Sequence, residues 1–173
     1  MEQAVTALII LTLVLFAALS LAQAWLSTQQ GIAVSWQAMQ ERVGERARTS
    51  VVPISGTIAS DVVDVTVKND GHVRLADFAH WDVLLQYDTA AGRSVEWYPY
   101  VKASAPGPGQ WTVMGIYQDA ARAIPEAIEP GILDPGEEMV IQIKTAQPVK
   151  AGTTSIATIA TPNGVSISIA LTS

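Results

Sequence analysis

Apolar residues run almost unbroken from Ala4 to Leu26 (AVTALIILTLVLFAALSLAQAWL), and no charged side chain occurs between Glu2 and Glu41. A helix needs about 20 apolar residues to cross a bilayer core of about 30 Å, so the run predicts a helix of membrane length. The pattern then narrows rather than stops. Ile32, Trp36, Met39, Val43 and Ala47 recur at spacings of four, three, four and four, a one-sided stripe of helical period. Gly31 and Gly44 are soft points where the helix is expected to bend or fray, and Pro53 closes the helical region. One rod over residues 2–48 would measure roughly 70 Å at 1.5 Å per residue, well beyond one membrane thickness. A stalk in water would usually carry charges by residue 30. This one carries Ser, Thr, Gln, Trp and Met, a surface suited to packing against copies of itself.

From Val51 onward the period changes from helical to two. Val63, Val65 and Val67 alternate with Asp64, Thr66 and Lys68, and Ile141 and Ile143 alternate with Gln142 and Lys144. Ile167 and Ile169 alternate with Ser166 and Ser168. Such alternation turns one face to a core and the other to water. Strands are predicted around Thr57–Ile58 and over 62–68, 81–87, 95–101, 111–116, 139–145, 154–161 and 165–171. Asn69-Asp70-Gly71, Ala91-Gly92, Pro106-Gly107-Pro108-Gly109, Pro130-Gly131, Asp134-Pro135-Gly136 and Pro162-Asn163-Gly164 punctuate them as turns. Residues 119–128 (DAARAIPEAI) are expected to make a short helical turn broken by Pro125. The predicted fold is α+β: a long N-terminal hydrophobic helix (residues 1–50) followed by an all-β immunoglobulin-like sandwich (residues 51–173).

Composition narrows the functional classes. The chain has 173 residues, a net charge of -6 and a pI near 4.7. An acidic chain without a basic stripe argues against nucleic acid as a partner. Cysteine is absent, which removes disulfides, thiolate metal sites and cysteine nucleophiles together. His72 and His80 have no zinc-ligand spacing, no GxSxG is present, and the PGPG run puts prolines where a phosphate loop needs N–H donors. Asp61, Asp64, Asn69 and Asp70 lack the register of a calcium loop, and Asn69-Asp70-Gly71 reads more simply as a turn. No N-x-S/T sequon occurs, so N-glycosylation is not expected. Trp97-Tyr98-Pro99-Tyr100 reads as alternate residues packing into a sandwich and along its edge, rather than as an adhesive patch. No catalytic group, cofactor site or metal site is expected, and the chain is not expected to be an enzyme.

The flanks of the apolar run bear on its fate. A signal peptide would carry a basic segment before the run, but Met1, Glu2 and Gln3 precede it. The nearest cations lie on the other side, at Arg42, Arg46 and Arg48. Taken literally, the positive-inside rule would place the large domain in the cytoplasm. The reading preferred here is that a basic leader preceded residue 1 and was removed.

Stretches at both ends and in the middle of the chain resemble a known family. The uncharged AVTALIILTLVLFAALSLAQAW is similar to the mature N-terminus of archaellins, the filament subunits of the archaeal motility apparatus, and of type IV pilin-like proteins generally. Val63 to Tyr87 (VDVTVKNDGHVRLADFAHWDVLLQY) resembles the strand–turn–strand of archaellar β-domains, and ILDPGEEMVIQIKT with ATPNGVSISI resembles their final turns and strand pair. Val5 stands where bacterial type IV pilins have Glu. The Val63–Tyr87 stretch also resembles minor archaellar components outside the membrane near the motor.

That resemblance implies a structural subunit of an extracellular motility filament, a helical homo-oligomer with helices in the core and sandwiches outside. It implies a cytoplasmic-membrane stage before assembly, a prepilin-type peptidase, and an assembly ATPase with its platform protein. Helix packing is assigned to Val5, Leu8, Leu11, Leu15, Phe16, Leu19, Trp25, Ile32, Trp36 and Met39. The alternative is a membrane-anchored minor archaellar or pilus component whose sandwich binds a cell-envelope partner.

Overall fold

The computed structural model describes residues 2–121, 123–126 and 128–173, and at Ala33 the backbone alone. One continuous helix, α1, spans Glu2–Arg48. It passes through Gly31 and Gly44 without a break. Its hydroxyls do not interrupt it either. Thr6, Thr12, Ser20, Thr28 and Ser35 each donate to the carbonyl four residues earlier, at 2.6–2.9 Å. Each hydroxyl is therefore satisfied inside the helix and needs no water, as a helix in lipid or against other helices requires.

The chain divides into two compact units, Met1–Val43 and Gly44–Ser173. Among the described residues, the second holds the last helical turn and nine strands. These are β1 (Val51–Ala59), β2 (Val62–Asn69), β3 (Asp82–Thr89), β4 (Gly92–Tyr98), β5 (Gln110–Asp119), β6 (Ile124–Pro125), β7 (Glu138–Lys144), β8 (Thr154–Ala160) and β9 (Ser166–Thr172). They form two antiparallel sheets, ordered β1-β2-β7-β5-β6 and β4-β3-β8-β9. The inward valines of β2, the isoleucines of β7, and Val83, Leu85 and Tyr87 of β3 are fully buried between them.

Two expectations are corrected. Pro53 does not end the helix, which stops five residues earlier; it lies within β1, opposite Val67. The edge position explains this, because a proline there forfeits no ladder hydrogen bond on the open side. Nor is 119–128 a helical turn among the described residues; Arg122 and Ala127 lie outside them. Ala123 takes a left-handed backbone at φ 53°, and Ile124–Pro125 return as β6 against β5. Pairing to an exposed sheet edge satisfies this backbone better than an isolated turn with an internal proline.

The helix end is stitched to the sandwich within the second unit. Thr49 Oγ1 donates to Glu45 O at 2.9 Å and accepts from Asn163 Nδ2 at 2.7 Å. Thr49 N–H reaches Arg46 O, and His72 N–H reaches Arg48 O at 2.8 Å. These bonds occupy carbonyls that a helix C-terminus leaves without partners. Gly71 makes room for them. A Cβ there would lie 2.5 Å from Ser50 N and 2.7 Å from Arg48 O, both backbone atoms. Gly71→Ala is expected to cost about 1–3 kcal/mol by overpacking, read as a lower urea midpoint of the full chain in detergent. An unchanged midpoint would show that this junction is loose.

Candidate assembly surface

The residues assigned to helix packing share one property. Val5, Leu8, Leu11, Leu15, Phe16, Leu19, Trp25, Ile32, Trp36 and Met39 are all exposed, from 53% to 70%. Burying apolar area is favourable by roughly 25 cal/mol per Å², so this surface is the largest unspent source of association energy on the chain. By length and composition α1 is able to cross a membrane. Its two halves differ chemically. Up to Leu26 it is apolar on every side, including Ile9, Ile10, Leu13 and Leu21. Beyond it, Gln30, Gln37, Gln40 and Glu41 share the circumference with the apolar stripe. A helix apolar all round suits lipid or a bundle interior, whereas a one-sided helix suits a partner on one side and water on the other.

The sandwich has a smaller apolar patch. Leu84 of β3 pairs in register with Trp97 of β4 and with Thr158 of β8, and Gln86 pairs with Val95 and Ile156. Leu84, Val95, Trp97 and Ile156 are exposed on the outward face. Trp97 Nε1 donates to Asp82 Oδ1 at 3.0 Å. Tyr98, one residue on, is fully buried, so the expected alternation along Trp97-Tyr98 is present.

Inward from β4 lies a polar group that sequence reasoning missed. Ser94 Oγ and Tyr98 Oη donate to the two carboxylate oxygens of Glu96, at 2.8 and 2.9 Å. Tyr87 Oη is buried in the same cluster without a hydrogen bond of good geometry. Burial opposes the charge on Glu96, but the hydroxyls of Ser94, Tyr98 and Tyr87 outweigh it and hold the carboxyl below its ordinary range. Burial pushes the Tyr98 phenol up, reinforced by Tyr87 and Glu96. A depressed carboxyl contributes stability that is present above its unfolded value and lost as pH falls through the folded one. Glu96→Gln is therefore expected to lower stability near pH 7 by about 1 kcal/mol and to flatten its decline below about pH 4.5. Parallel acid-unfolding curves for the two proteins would contradict this.

The carboxylates that do converge are not those suspected from the sequence. Asp61 lies 3.7 Å from Lys144 Nζ, and Asp64 accepts from Gln142 Nε2 at 2.9 Å. Asn69 is fully buried, bridging Val73 O and Leu133 O at 2.8 and 2.9 Å. Instead Glu126, Asp134 and Glu137 bring oxygens within 4.8 Å of one another. Arg74 answers one of them, with Nε 2.7 Å from Asp134 Oδ1, and forms a second ion pair with Glu129. Burial raises Glu137, and the Glu126 and Asp134 carboxylates add to this, against the Asp134 N–H that bonds it at 2.8 Å. Glu126 Oε2 is buried in this group without a hydrogen-bond partner among the described residues. His80 Nδ1 lies 2.8 Å from Asp77 Oδ2 on the surface.

No protein family model matches the chain, and no curated protein does either. Solved structures do. A complex of the archaellum periplasmic stator proteins FlaF and FlaG from Sulfolobus acidocaldarius matches at a TM-score of 0.51 and 21% identity, over 69% of this chain and 86% of that one. The FlaG stator protein of the same organism matches at 0.50 and 20%, over 70% of this chain and 98% of that one. The archaeal flagellum of Methanospirillum hungatei strain JF1 matches at 0.50 and 14%, over 99% of this chain and 90% of that one. The likeness is one of fold: it extends over nearly the whole chain for the flagellum and over about 70% of the chain for the stator proteins.

Proposed function

We propose that the chain is a non-catalytic structural component of an archaellum-type appendage, held at the membrane by α1 and assembled with other copies through it. The observation that carries this reading is the helix itself: 47 residues, uncharged from Gln3 to Gln40, far past one bilayer, with its large apolar side chains exposed. Two finer forms follow. In the first the chain is an extracellular filament subunit, processed by a prepilin-type peptidase and inserted from the membrane by an assembly ATPase and its platform protein. The likeness to the Methanospirillum flagellum over nearly the whole chain supports it. In the second it is an envelope-side component whose sandwich meets a cell-envelope partner. The likeness to the stator proteins, at higher identity, supports that.

Fractionation of native cells separates the forms. Sheared filaments and washed membranes are each digested and quantified by mass spectrometry. Dominance of this chain in the filaments establishes the first form. Retention in membranes, with filaments lacking it, establishes the second.

A further inference from the structure

The exposed face of α1 carries a finer order than general apolarity. Leu8, Leu15, Ala22, Gln29, Trp36 and Val43 recur every seven residues. Leu11, Ala18, Trp25, Ile32 and Met39 recur every seven, offset by three. Together they form one seam of alternating three- and four-residue steps, the a and d positions of a heptad repeat. The seam spans both chemical halves of the helix and ends at Arg46, where the next step falls. A straight helix lets such a seam drift by about 20° per heptad, so keeping it against one partner needs a left-handed supercoil.

Lipid accounts for residues 4–26 but not for the rest. Over residues 27–43 the large apolar side chains are Ile32, Val34, Trp36, Met39 and Val43, and all but Val34 lie on the seam. A partner must therefore run beside the helix through the apolar half and onward beside the one-sided half. It must be helical, of similar length, and apolar at the same end. It must also answer Gln29, the one polar residue in the seam.

We infer that this partner is a second copy of the chain, parallel and in register, with Gln29 facing Gln29. An amide both donates and accepts, so two in-register glutamines satisfy each other, and a lone polar a position is a device that sets register. The antiparallel arrangement would put the glutamine-rich half of one helix beside the all-apolar half of the other. The flanking positions carry no like-charge pair: Thr28, Ser35, Gln40 and Arg42 meet neutral residues across the seam. From Leu8 to Val43 the seam measures roughly 50 Å, and a strip about 10 Å wide gives roughly 1,000 Å² for two copies, the size at which specific interfaces begin. The inference rests on α1 being a membrane-embedded assembly helix. A two-fold pair is closed, whereas screw-related copies in a polymer would stagger the seam. The pair thus fits the envelope-side form directly and the filament only as a building block.

The lack of native cysteine makes a clean test. Single substitutions Gln29→Cys, Ile32→Cys, Trp36→Cys and Met39→Cys on the seam, and Gln30→Cys, Val34→Cys and Gln37→Cys off it, are made in the full chain. Each is oxidised in native membranes and run on a non-reducing gel. Dimer yield is expected to be several-fold higher at every seam position than off it. Trp36→Glu in the Ile32→Cys background is expected to cut the yield several-fold, with near-UV circular dichroism confirming a folded sandwich. Yields without the periodicity, or highest at Val34→Cys and Gln37→Cys, overturn the pairing. Periodic dimers in cells whose filaments lack the chain uphold the seam and sink the filament form. Filaments built of the chain but giving no homotypic dimer overturn the seam and leave the filament form standing.

Discussion

Leu15→Arg is expected to abolish assembly through α1. Leu15 lies near the middle of the apolar run and is exposed. In lipid, an arginine at the centre of a spanning helix costs about 2.5–3.5 kcal/mol on insertion scales. Against neighbouring helices, the charge is left buried without a partner, which is no cheaper. Either environment turns the substitution into a loss of roughly two orders of magnitude in the assembled population. The check is the amount of chain in the membrane or filament fraction and its size on a native gel. Leu15→Ala is the control. It keeps the helix apolar and is expected to leave membrane partition intact. Normal assemblies from Leu15→Arg would remove the reason for assigning α1 an assembly role.

Trp111→Ala is expected to cost about 3–5 kcal/mol, a large part of the 5–15 kcal/mol that holds a domain folded. Trp111 is fully buried, pairs in register with Ile143, and packs on Tyr100 with ring centroids 4.9 Å apart. Its backbone also ties the β4–β5 connection, with N–H to Pro99 O at 3.0 Å and the carbonyl accepting from Val101 N at 2.9 Å. The side chain brings a liability: Nε1 is buried without a hydrogen-bond partner among the described residues. Trp111→Phe keeps most of the ring volume and removes that orphan donor, so it is expected to cost less than about 1.5 kcal/mol. Urea unfolding of the full-length variants in detergent, followed by circular dichroism, measures both. Equal midpoints for the two variants would mean that the indole contributes little to packing.

The local elements were largely legible because each rests on one period. The 3–4 spacing from Ile32 to Val43 and the stop after Arg48 mark α1, and the alternations at 63–67, 141–143 and 167–169 mark β2, β7 and β9. Misreadings came where local propensity competes with pairing. Pro53 punctuates a chain read locally, yet an edge strand tolerates it. DAARAIPEAI has helical composition, yet the open side of β5 offers its backbone partners at Ile124–Pro125. Asn69 was legible as a turn residue, but its bridge to Leu133, 64 positions away, was not.

The sequence alone determines that this chain has a long apolar helix and a domain of short alternating strands. Both follow from spacing between near neighbours. Tertiary structure alone decides which strands are neighbours. β3 finds β8, and β2 finds β7, across 70 or more positions, because period two tells a strand which face to bury and not against whom. The same holds for side chains. Ser94, Glu96 and Tyr98 form their hydrogen-bonded group inside one strand, yet Tyr87 joins it only once β3 has paired with β4. Glu129 and Asp134 meet Arg74 only because loops distant in sequence close on one another, and charge along the chain carries no record of that encounter.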